Sequence, residues 1–192
     1  MFDNTGSKDQ RRILWVAIAL MVAVSTIVLS ITLWMLYKAN FQQRVEDLRA
    51  MVEAQVSIID SVAIFDRQHS AGDVEGGSEN ATLQQVIDGL SQLGGFGESG
   101  EFVLGRRRGD QIEFLSEFRF PGSATRRIVP FSTGAAAPMR RALNKESGWM
   151  IGADYRGEQV LAAFEPIGEL RMGVGLVAKV DMAEVRAPFM QV

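Results

Sequence analysis

The chain has 192 residues and a mass of 21.1 kDa, with 47% apolar residues, 22% charged residues and a formal net charge of −3. This composition fits one folded domain plus one extra element, and it excludes a disordered tail or a small disulfide-stabilised protein. With no cysteine and one histidine, thiol nucleophiles and zinc ribbons are excluded, and little remains for a metal site or cofactor. Residues 38–192 carry 17 Lys and Arg against 21 Asp and Glu, so no overall positive field indicates nucleic acid as a partner.

The most prominent feature is the uncharged apolar run at residues 13–37. A helix of that length is about 37 Å long, which is enough to cross a hydrocarbon core of about 30 Å. Trp15 lies near its first end and Trp34 and Tyr37 near its second, where aromatic residues line membrane interfaces. The sequence therefore predicts an uncleaved transmembrane helix, because a cleaved signal has a shorter apolar run followed by a small-residue cleavage site.

Basic residues on the two sides of this run predict its orientation. Lys8, Arg11 and Arg12 precede it, while Lys38 and Arg44 follow it. The positive-inside bias favours a cytoplasmic segment at residues 1–12. Everything after the span then lies outside the cytoplasm, a location that suits a domain without cysteine.

A stalk helix is predicted at residues 38–66, because Val45, Leu48, Val52, Ile59 and Val62 follow a spacing of three and four. One interpretation is a parallel homodimer seam that carries motion to the membrane. The other is a single helix that packs against its own domain. The periodicity alone does not distinguish them.

The rest of the chain predicts an α+β domain at residues 67–181, entered through an exposed loop. A helix capped at Thr82 and ended by Gly94 precedes the strands, and a short helix at 138–145, ended by Gly148, interrupts them. Residues 182–192 begin a terminal helix. Alternation and turn residues predict an antiparallel sheet of about five strands, at 101–107, 111–118, 149–153, 158–166 and 172–180.

Three runs of the chain resemble one family of bacterial sensor domains. They are GESGEFVLGRRRGDQIEFL (97–115), PMRRALNKESGWMIGADYRGEQVLAAFEPI (138–167) and MGVGLVAKVDMAEV (172–185). They resemble the PAS-like single Cache domains of transmembrane receptors such as sensor histidine kinases, chemoreceptors and diguanylate cyclases. The resemblance covers roughly residues 40–190 and its motifs mark the fold rather than a chemistry.

The resemblance implies an extracytoplasmic domain on the bacterial inner membrane that binds a small metabolite in a pocket over the sheet. It also implies that the terminal strand leads into a second membrane helix and a signalling domain. We expect the sequence to be the sensing portion of a longer receptor, with a single-pass stand-alone module as the alternative. A membrane-anchored protein-interaction module that binds no small molecule is the competing hypothesis for function.

Arginine side chains are the candidate ligand-binding groups, because 14 of the 17 cations after residue 37 are arginine, which binds carboxylate or phosphate in a bidentate manner. Arg106 is favoured, since alternation places it on the face of Phe102 and Leu104, which we expect to line the core or pocket. Arg119 and Arg140 are the other candidates, and the ligand expected for these arginines is an anion.

The Asp154-Tyr155-Arg156-Gly157 turn is interpreted as closing a hairpin rather than as contacting a ligand. No catalytic residue is predicted, because no histidine or carboxylate pair has a partner that tunes it.

Overall fold

The computed structural model describes residues 6–69, 77–120, 127–169 and 173–190. Its ten elements are α1 Gly6–His69, α2 Gly77–Leu93, β1 Glu101–Arg108, β2 Gln111–Phe114, β3 Ile128–Pro130, α3 Ala137–Leu143, β4 Gly148–Ala153, β5 Gln159–Ile167, β6 Val174–Asp181 and α4 Met182–Met190. All strand pairs are antiparallel, in the order β3-β2-β1-β6-β5-β4. The predicted α+β class is therefore confirmed.

The chain divides into two units, Met1–Gln42 and Gln43–Val192. Helix α1, which begins in the first unit, is long and apolar enough to cross a membrane by length and composition, and none of its apolar window near the N-terminus is buried. Three of the four Ser and Thr side chains between residues 13 and 37, those of Thr26, Ser30 and Thr32, donate hydrogen bonds to the carbonyl four residues earlier, at 2.8 to 2.9 Å. Such bonds satisfy the hydroxyl groups inside the helix itself, as a spanning helix requires.

The second unit has an apolar core on each face of its sheet. On one face α3 covers inward side chains from β1, β2, β5 and β6, including Val103, Phe114, Val160 and Val177. On the opposite face Leu104, Leu161 and Leu176 have no exposed surface. Apolar stripes on α1 and α2 are also buried, and we infer that they cover this second face. The residues of these stripes are Val45, Leu48, Val52, Val56, Ile59, Ala63, Leu83, Val86 and Leu90.

Polar contacts join α1 to the rest of this unit. Arg67 forms an ion pair of 2.8 Å with Glu169, after β5, and the backbone N–H of Glu169 donates to Asp60 at 3.0 Å. The hydroxyl of Thr82 donates to Asp66 at 2.6 Å, which joins α2 to α1. These bonds fix the last turns of α1 beside the sheet and α2.

Two predicted helix boundaries are wrong. Helix α2 begins at Gly77 rather than at Thr82, because the Thr82 hydroxyl is buried against α1 instead of capping its own helix. Helix α3 ends at Leu143, since Lys145 adopts a left-handed conformation with φ of 65°. The predicted terminator Gly148 instead begins β4.

The sheet has six strands, not the five that alternation predicts. The additional strand is β3, three residues at the edge of the sheet inside the stretch 119–134, which carries no alternating pattern. Strand β2 ends at Phe114 rather than at Phe118. Its pairing stops because the Ser116 hydroxyl, instead of a backbone carbonyl, accepts from the N–H of Leu104 at 3.0 Å.

Helix α3 lies close to the sheet over glycines. Gly105 and Gly175 are directly opposed on β1 and β6. A Cβ atom on Gly175 would lie 2.7 Å from the Cβ of Ala142, and one on Gly105 would lie 2.8 Å from the Sδ of Met139. Side chains at these positions would therefore push α3 away from the sheet.

We predict that Gly175→Ala lowers the free energy of unfolding by about 1 to 3 kcal/mol, the usual cost of overpacking a core. The reason is that Ala142 has no rotatable side chain with which to avoid the new methyl group. Gly105→Ala is the matched control and should cost less, because the flexible Met139 side chain can move. Denaturant unfolding of both variants measures the difference, and equal losses would contradict the explanation.

A second prediction concerns Glu165 on β5. Burial, together with the nearby carboxylates of Glu53 and Asp60, raises the pKa of Glu165 even though Arg49 opposes the shift. A raised pKa means that the folded state holds the proton more tightly, so this contribution to stability is present at low pH and is lost as pH rises through the folded pKa. Glu165→Gln should therefore raise stability at pH 7, with a gain that shrinks as pH falls toward about 4.3, the unfolded value. Thermal unfolding from pH 4 to 8 measures this, with the exposed Glu158→Gln as control, and a gain independent of pH would refute the assignment.

Candidate functional site

The most unusual feature of the second unit is a group of polar side chains buried beneath α3. Lys179 on β6 lies directly opposite Glu101 on β1 in the strand register. Asp154 and Tyr155 come from the turn between β4 and β5. Their exposed fractions are 1% for Lys179, 3% for Glu101, 3% for Asp154 and 6% for Tyr155. These four residues are called the Lys179 cluster below.

Lys179 is held by two carboxylates. Its Nζ lies 2.7 Å from Oε1 of Glu101 and 2.7 Å from Oδ2 of Asp154. The same nitrogen lies 4.7 Å from the centroid of the Tyr155 ring, within the range of a cation–π interaction. Two acceptors and one aromatic face thus surround a single buried cation.

Glu101 also binds Tyr155. The phenol hydroxyl donates to Oε1 of Glu101 at 2.7 Å. Burial and this carboxylate raise the pKa of Tyr155 well above its ordinary value of about 10. The phenol therefore stays protonated and acts as a hydrogen-bond donor, not as a base.

Asp154 is fixed by its own turn. Its Oδ1 accepts from the backbone N–H of Arg156 at 2.7 Å and of Glu158 at 3.1 Å, and its Oδ2 accepts from Nε of Arg156 at 2.7 Å. Burial alone would raise the pKa of Asp154, but Lys179 and Arg156 outweigh it and the pKa is lowered. Asp154 is thus a carboxylate in the folded protein. The turn closes the hairpin as predicted, and its side chains also build the site.

A small cavity borders the cluster. Its volume is about 20 Å³, which is room for about one water molecule. Asp154, Tyr155 and Lys179 form its polar wall, and its apolar wall includes Val103, Ala136 and Met139. Ala136, directly before α3, has a φ of 55°, a left-handed conformation that is strained for alanine. The cavity therefore lies at the strained start of a seven-residue helix.

Hydrogen bonds continue from the cluster to α4. Arg156 pairs with Asp181 at the end of β6, and the backbone N–H of Asp181 donates to Oγ of Ser99 at 2.9 Å. The Ser99 hydroxyl and N–H both donate to Oε2 of Glu184 on α4, at 2.5 and 2.7 Å. Burial would raise the pKa of Glu184, but these bonds and one from Glu98 lower it. The cluster and the first turn of α4 thus belong to one polar network.

The three predicted arginines share no partner in their described contacts. Arg106 lies on the face of Leu104, as alternation predicts, but pairs with Glu113 across the β1–β2 ladder at 2.8 Å. Arg140 on α3 donates over 3.4 to 3.5 Å to the carbonyls of Phe131 and Gly134. Both lie outside the Lys179 cluster, and a ligand-binding role for either stays a prediction.

Arg119 is the one predicted arginine that touches the cluster. Its backbone N–H donates to Oε2 of Glu101 at 2.8 Å, and it borders a groove of about 160 Å³. Its guanidinium donates to three backbone carbonyls between α2 and β1, those of Phe96, Gly97 and Gly100. Arg119 therefore holds the turn that leads into Glu101.

The aromatic residues predicted at the membrane interface lie on the helix of the first unit. Trp15 and Trp34 are 68% and 62% exposed. Lys38 lies 5.4 Å from the Trp34 ring, and Tyr37 stacks with Phe41 at 6.4 Å. Their placement at an interface stays a prediction.

The sequence did not single out Lys179. Alternation places it on the face of Gly175, opposite most of the apolar residues of the strand, and a lysine among glycines is typical of a solvated face. Its partner Glu101 lies 78 residues earlier in the chain, and only the β1–β6 register joins them. The available signal was one lysine inside the otherwise apolar strand GVGLVAKV.

The polar groups of the Lys179 cluster are paired with one another. Lys179 is neutralised by two carboxylates, and Tyr155 stays a phenol. Among the residues that the structure describes, no group of three or more His, Asp or Glu side chains is placed to hold a metal ion. The chain matches no protein-family model, and no curated protein is significantly similar to it.

We predict that Lys179→Met lowers the free energy of unfolding by about 3 to 5 kcal/mol, the cost of leaving one side of a buried ion pair uncompensated. Glu101 and Asp154 would then face each other without the ammonium group between them. The exposed Lys145→Met is the matched control and should stay within about 0.5 kcal/mol of the parent. Denaturant unfolding measures both variants, and a small loss at Lys179 would show that water reaches the cluster.

Proposed function

We propose that residues 43–190 are the extracytoplasmic sensing domain of a membrane receptor and that a small molecule binds between α3 and the sheet at the Lys179 cluster. The observation that carries the proposal is a fully buried cation held by two carboxylates beside a cavity. The proposal gives these residues a binding role and no catalytic one. The single Cache resemblance of the sequence agrees with it.

Stability alone does not account for the cluster. Buried ion pairs lose hydration that their mutual attraction seldom repays, and apolar residues of similar size usually stabilise a core equally well or better. Beneath α3 the chain nevertheless places an ammonium group, two carboxylates and a phenol with defined geometry. Polar groups held in fixed positions against an apolar wall are typical of a ligand site.

Ligand entry requires α3 to move away from the sheet, because the cavity holds only about one water molecule. Helix α3 has seven residues and directly follows the strained N-cap residue Ala136. It also packs over Gly105 and Gly175, which have no side chains that could interlock with those of α3. Moving α3 would expose its buried Met139, Ala142 and Leu143, so the contacts of the ligand would have to offset that cost.

The charges of the site favour a neutral or cationic polar ligand. Lys179 and Arg156 contribute two positive charges, and Glu101, Asp154 and Asp181 contribute three negative ones. An anionic ligand would add to this excess of carboxylate. The anionic ligand expected from the arginines is therefore the weaker choice at this cluster.

Transmission would follow the polar network to α4. A ligand that draws Asp154 or Lys179 away from its partner alters the Arg156–Asp181 pair, and through Ser99 it alters the hold on Glu184. The ligand contributes only its difference in affinity between the two arrangements of the network. Helix α4 would pass the change towards the membrane.

The helix at residues 13–37 would anchor the chain in the bacterial inner membrane with residues 1–12 in the cytoplasm. The domain would then lie on the periplasmic or extracellular side. Two copies would act together as a homodimer.

A second candidate function is a membrane-anchored interaction module that binds a protein partner and no metabolite. The small volume of the cavity favours it, since a core that is already filled needs no ligand. Exposed apolar residues on α1 favour it as well. Ligand binding at the cluster distinguishes the two functions.

The test is thermal unfolding of the full chain in detergent with panels of small polar compounds grouped as neutral, cationic or anionic. We expect a neutral or cationic compound to raise the Tm, since a ligand at 100 times its Kd stabilises by about 2.7 kcal/mol. Val103→Leu, which fills the cavity, should abolish that rise. Val129→Leu enlarges a residue of the same core that does not line the cavity, and it should keep the response.

Each contrary outcome has a distinct meaning. A Tm rise that survives Val103→Leu places the ligand elsewhere and overturns the proposed site. A rise in Tm with anionic compounds alone would contradict binding at the Lys179 cluster and favour the predicted arginines Arg106, Arg119 and Arg140 as the ligand-binding groups. No rise with any class favours the interaction module.

A further inference from the structure

Helix α1 has a second apolar stripe, separate from the one it buries in its own domain. Met51, Ile58 and Phe65 recur every seven residues and are 39%, 57% and 59% exposed. Ala54 and Ser61 lie between them on the same face and are exposed too. Together these five residues, called the outer stripe below, follow the spacing of three and four that coiled coils use.

The outer stripe is free of charge. Between residues 50 and 65 the charged side chains are Glu53 and Asp60. Both belong to the opposite side of the helix, where Asp60 accepts from the backbone of Glu169 and Glu53 acts on Glu165. A solvated helix face normally carries charges, so an uncharged face of four turns fits an apolar partner better than water.

An open groove runs beside this stripe, between α1 and α2. It encloses about 270 Å³, and its lining includes Gln55, Ile58 and Val62 from α1 and Val86 and Gly89 from α2. Ile58 therefore belongs both to the groove and to the outer stripe.

Neither the backbone conformation nor any neighbour in the described part of the chain requires a glycine at position 89. It lies in the interior of α2, where glycine costs about 1 kcal/mol relative to alanine. A Cβ atom there would have nothing within 4 Å, and the residue has no positive φ. A glycine in a helix that faces an open groove allows another helix to approach closely.

We propose that the outer stripe of a second copy of this chain packs in the α1–α2 groove, with Gly89 as the point of close approach. The heptad spacing and the absence of charge identify the occupant as an apolar helix, which the outer stripe itself supplies. Because Ile58 lies on both surfaces, a two-fold axis along α1 places each stripe beside the other copy's groove. The parallel direction rests on the proposed membrane anchorage, since both copies would be inserted in the same orientation.

The outer stripe is too short to hold a dimer by itself, so α2 would have to add contact area. The outer stripe spans two heptads, and self-standing coiled coils usually need three to four. Asp47 and Arg44 continue the same face towards the N-terminus and end the apolar seam there. Contacts with Val86 and Gly89 of α2 would supply the surface that two heptads lack.

The experiment uses single cysteines in the full chain in lipid membranes, where the absence of native cysteine leaves one thiol per copy. Under mild oxidation we expect Ala54→Cys, Ile58→Cys and Ser61→Cys to form disulfide-linked dimers. Glu46→Cys and Glu53→Cys, exposed on the opposite side of α1, should form about tenfold less, since they lie outside the seam. Equal cross-linking at all five positions, or none at any, would overturn the proposal.

Gly89 tests the groove itself. Gly89→Leu should reduce cross-linking at Ile58→Cys about tenfold, which corresponds to about 1.4 kcal/mol. The reason is that the leucine side chain would fill the part of the groove in which the partner helix packs. The control Ser91→Leu, on the other side of α2, should leave cross-linking unchanged. Thermal unfolding in detergent should show that Gly89→Leu does not destabilise the monomer. Cross-linking that survives Gly89→Leu would overturn the role of the groove, and because no ligand is present, either failure leaves the ligand site of the proposed function standing.

Discussion

The arrangement of the domain depends on one buried ammonium group. Lys179 lies near the end of β6, on the sheet face that α3 covers, and its two ion pairs of 2.7 Å bring together β1, β6 and the β4–β5 turn. Without those carboxylates the buried ammonium group would have no partner to offset its loss of hydration. The sheet can close over Lys179 only if Glu101 and Asp154 arrive in register, so the cluster selects one strand pairing against a slip by one residue.

Local patterns predicted those parts of the fold that depend on neighbours along the chain. Alternation gave the correct face for Arg106 with Leu104, because side chains of a strand point to opposite faces by geometry alone. Gly94 was a sound helix terminator, since its φ of 65° is one that glycine adopts without strain. The Asp154–Gly157 turn was predicted for the same kind of reason.

The missed features all depend on residues that are distant in sequence. Thr82 has the form of a helix cap, but its hydroxyl bonds to Asp66, so the contact with α1 decides its role. The periodicity of five α1 positions left open whether they form a dimer seam or pack against the domain, and four of them, Val45, Leu48, Val52 and Ile59, are buried in the domain itself. The helix carries two apolar stripes, and only the position of the sheet distinguishes them. Likewise, Glu101 and Lys179 are unremarkable until the register places them opposite each other.

The described contacts give α1 and α4 different relations to the cluster. The polar network runs from Lys179 through Arg156 and Ser99 to Glu184, and so reaches α4. Helix α1 is instead joined by hydrogen bonds to the residues after β5 and to α2, through Asp60, Arg67 and Asp66, and in the described structure none of these three bonds to the cluster. The charge of Arg44 on α1 also acts on Glu184 and helps to lower its pKa. A change at Lys179 therefore acts on α4 directly, while α1 keeps its own bonds. Under the proposed function this separation has a physical use. A dimer held through α1 would keep the two α1 helices in place. A movement of α4 relative to α1 would then be passed towards the membrane.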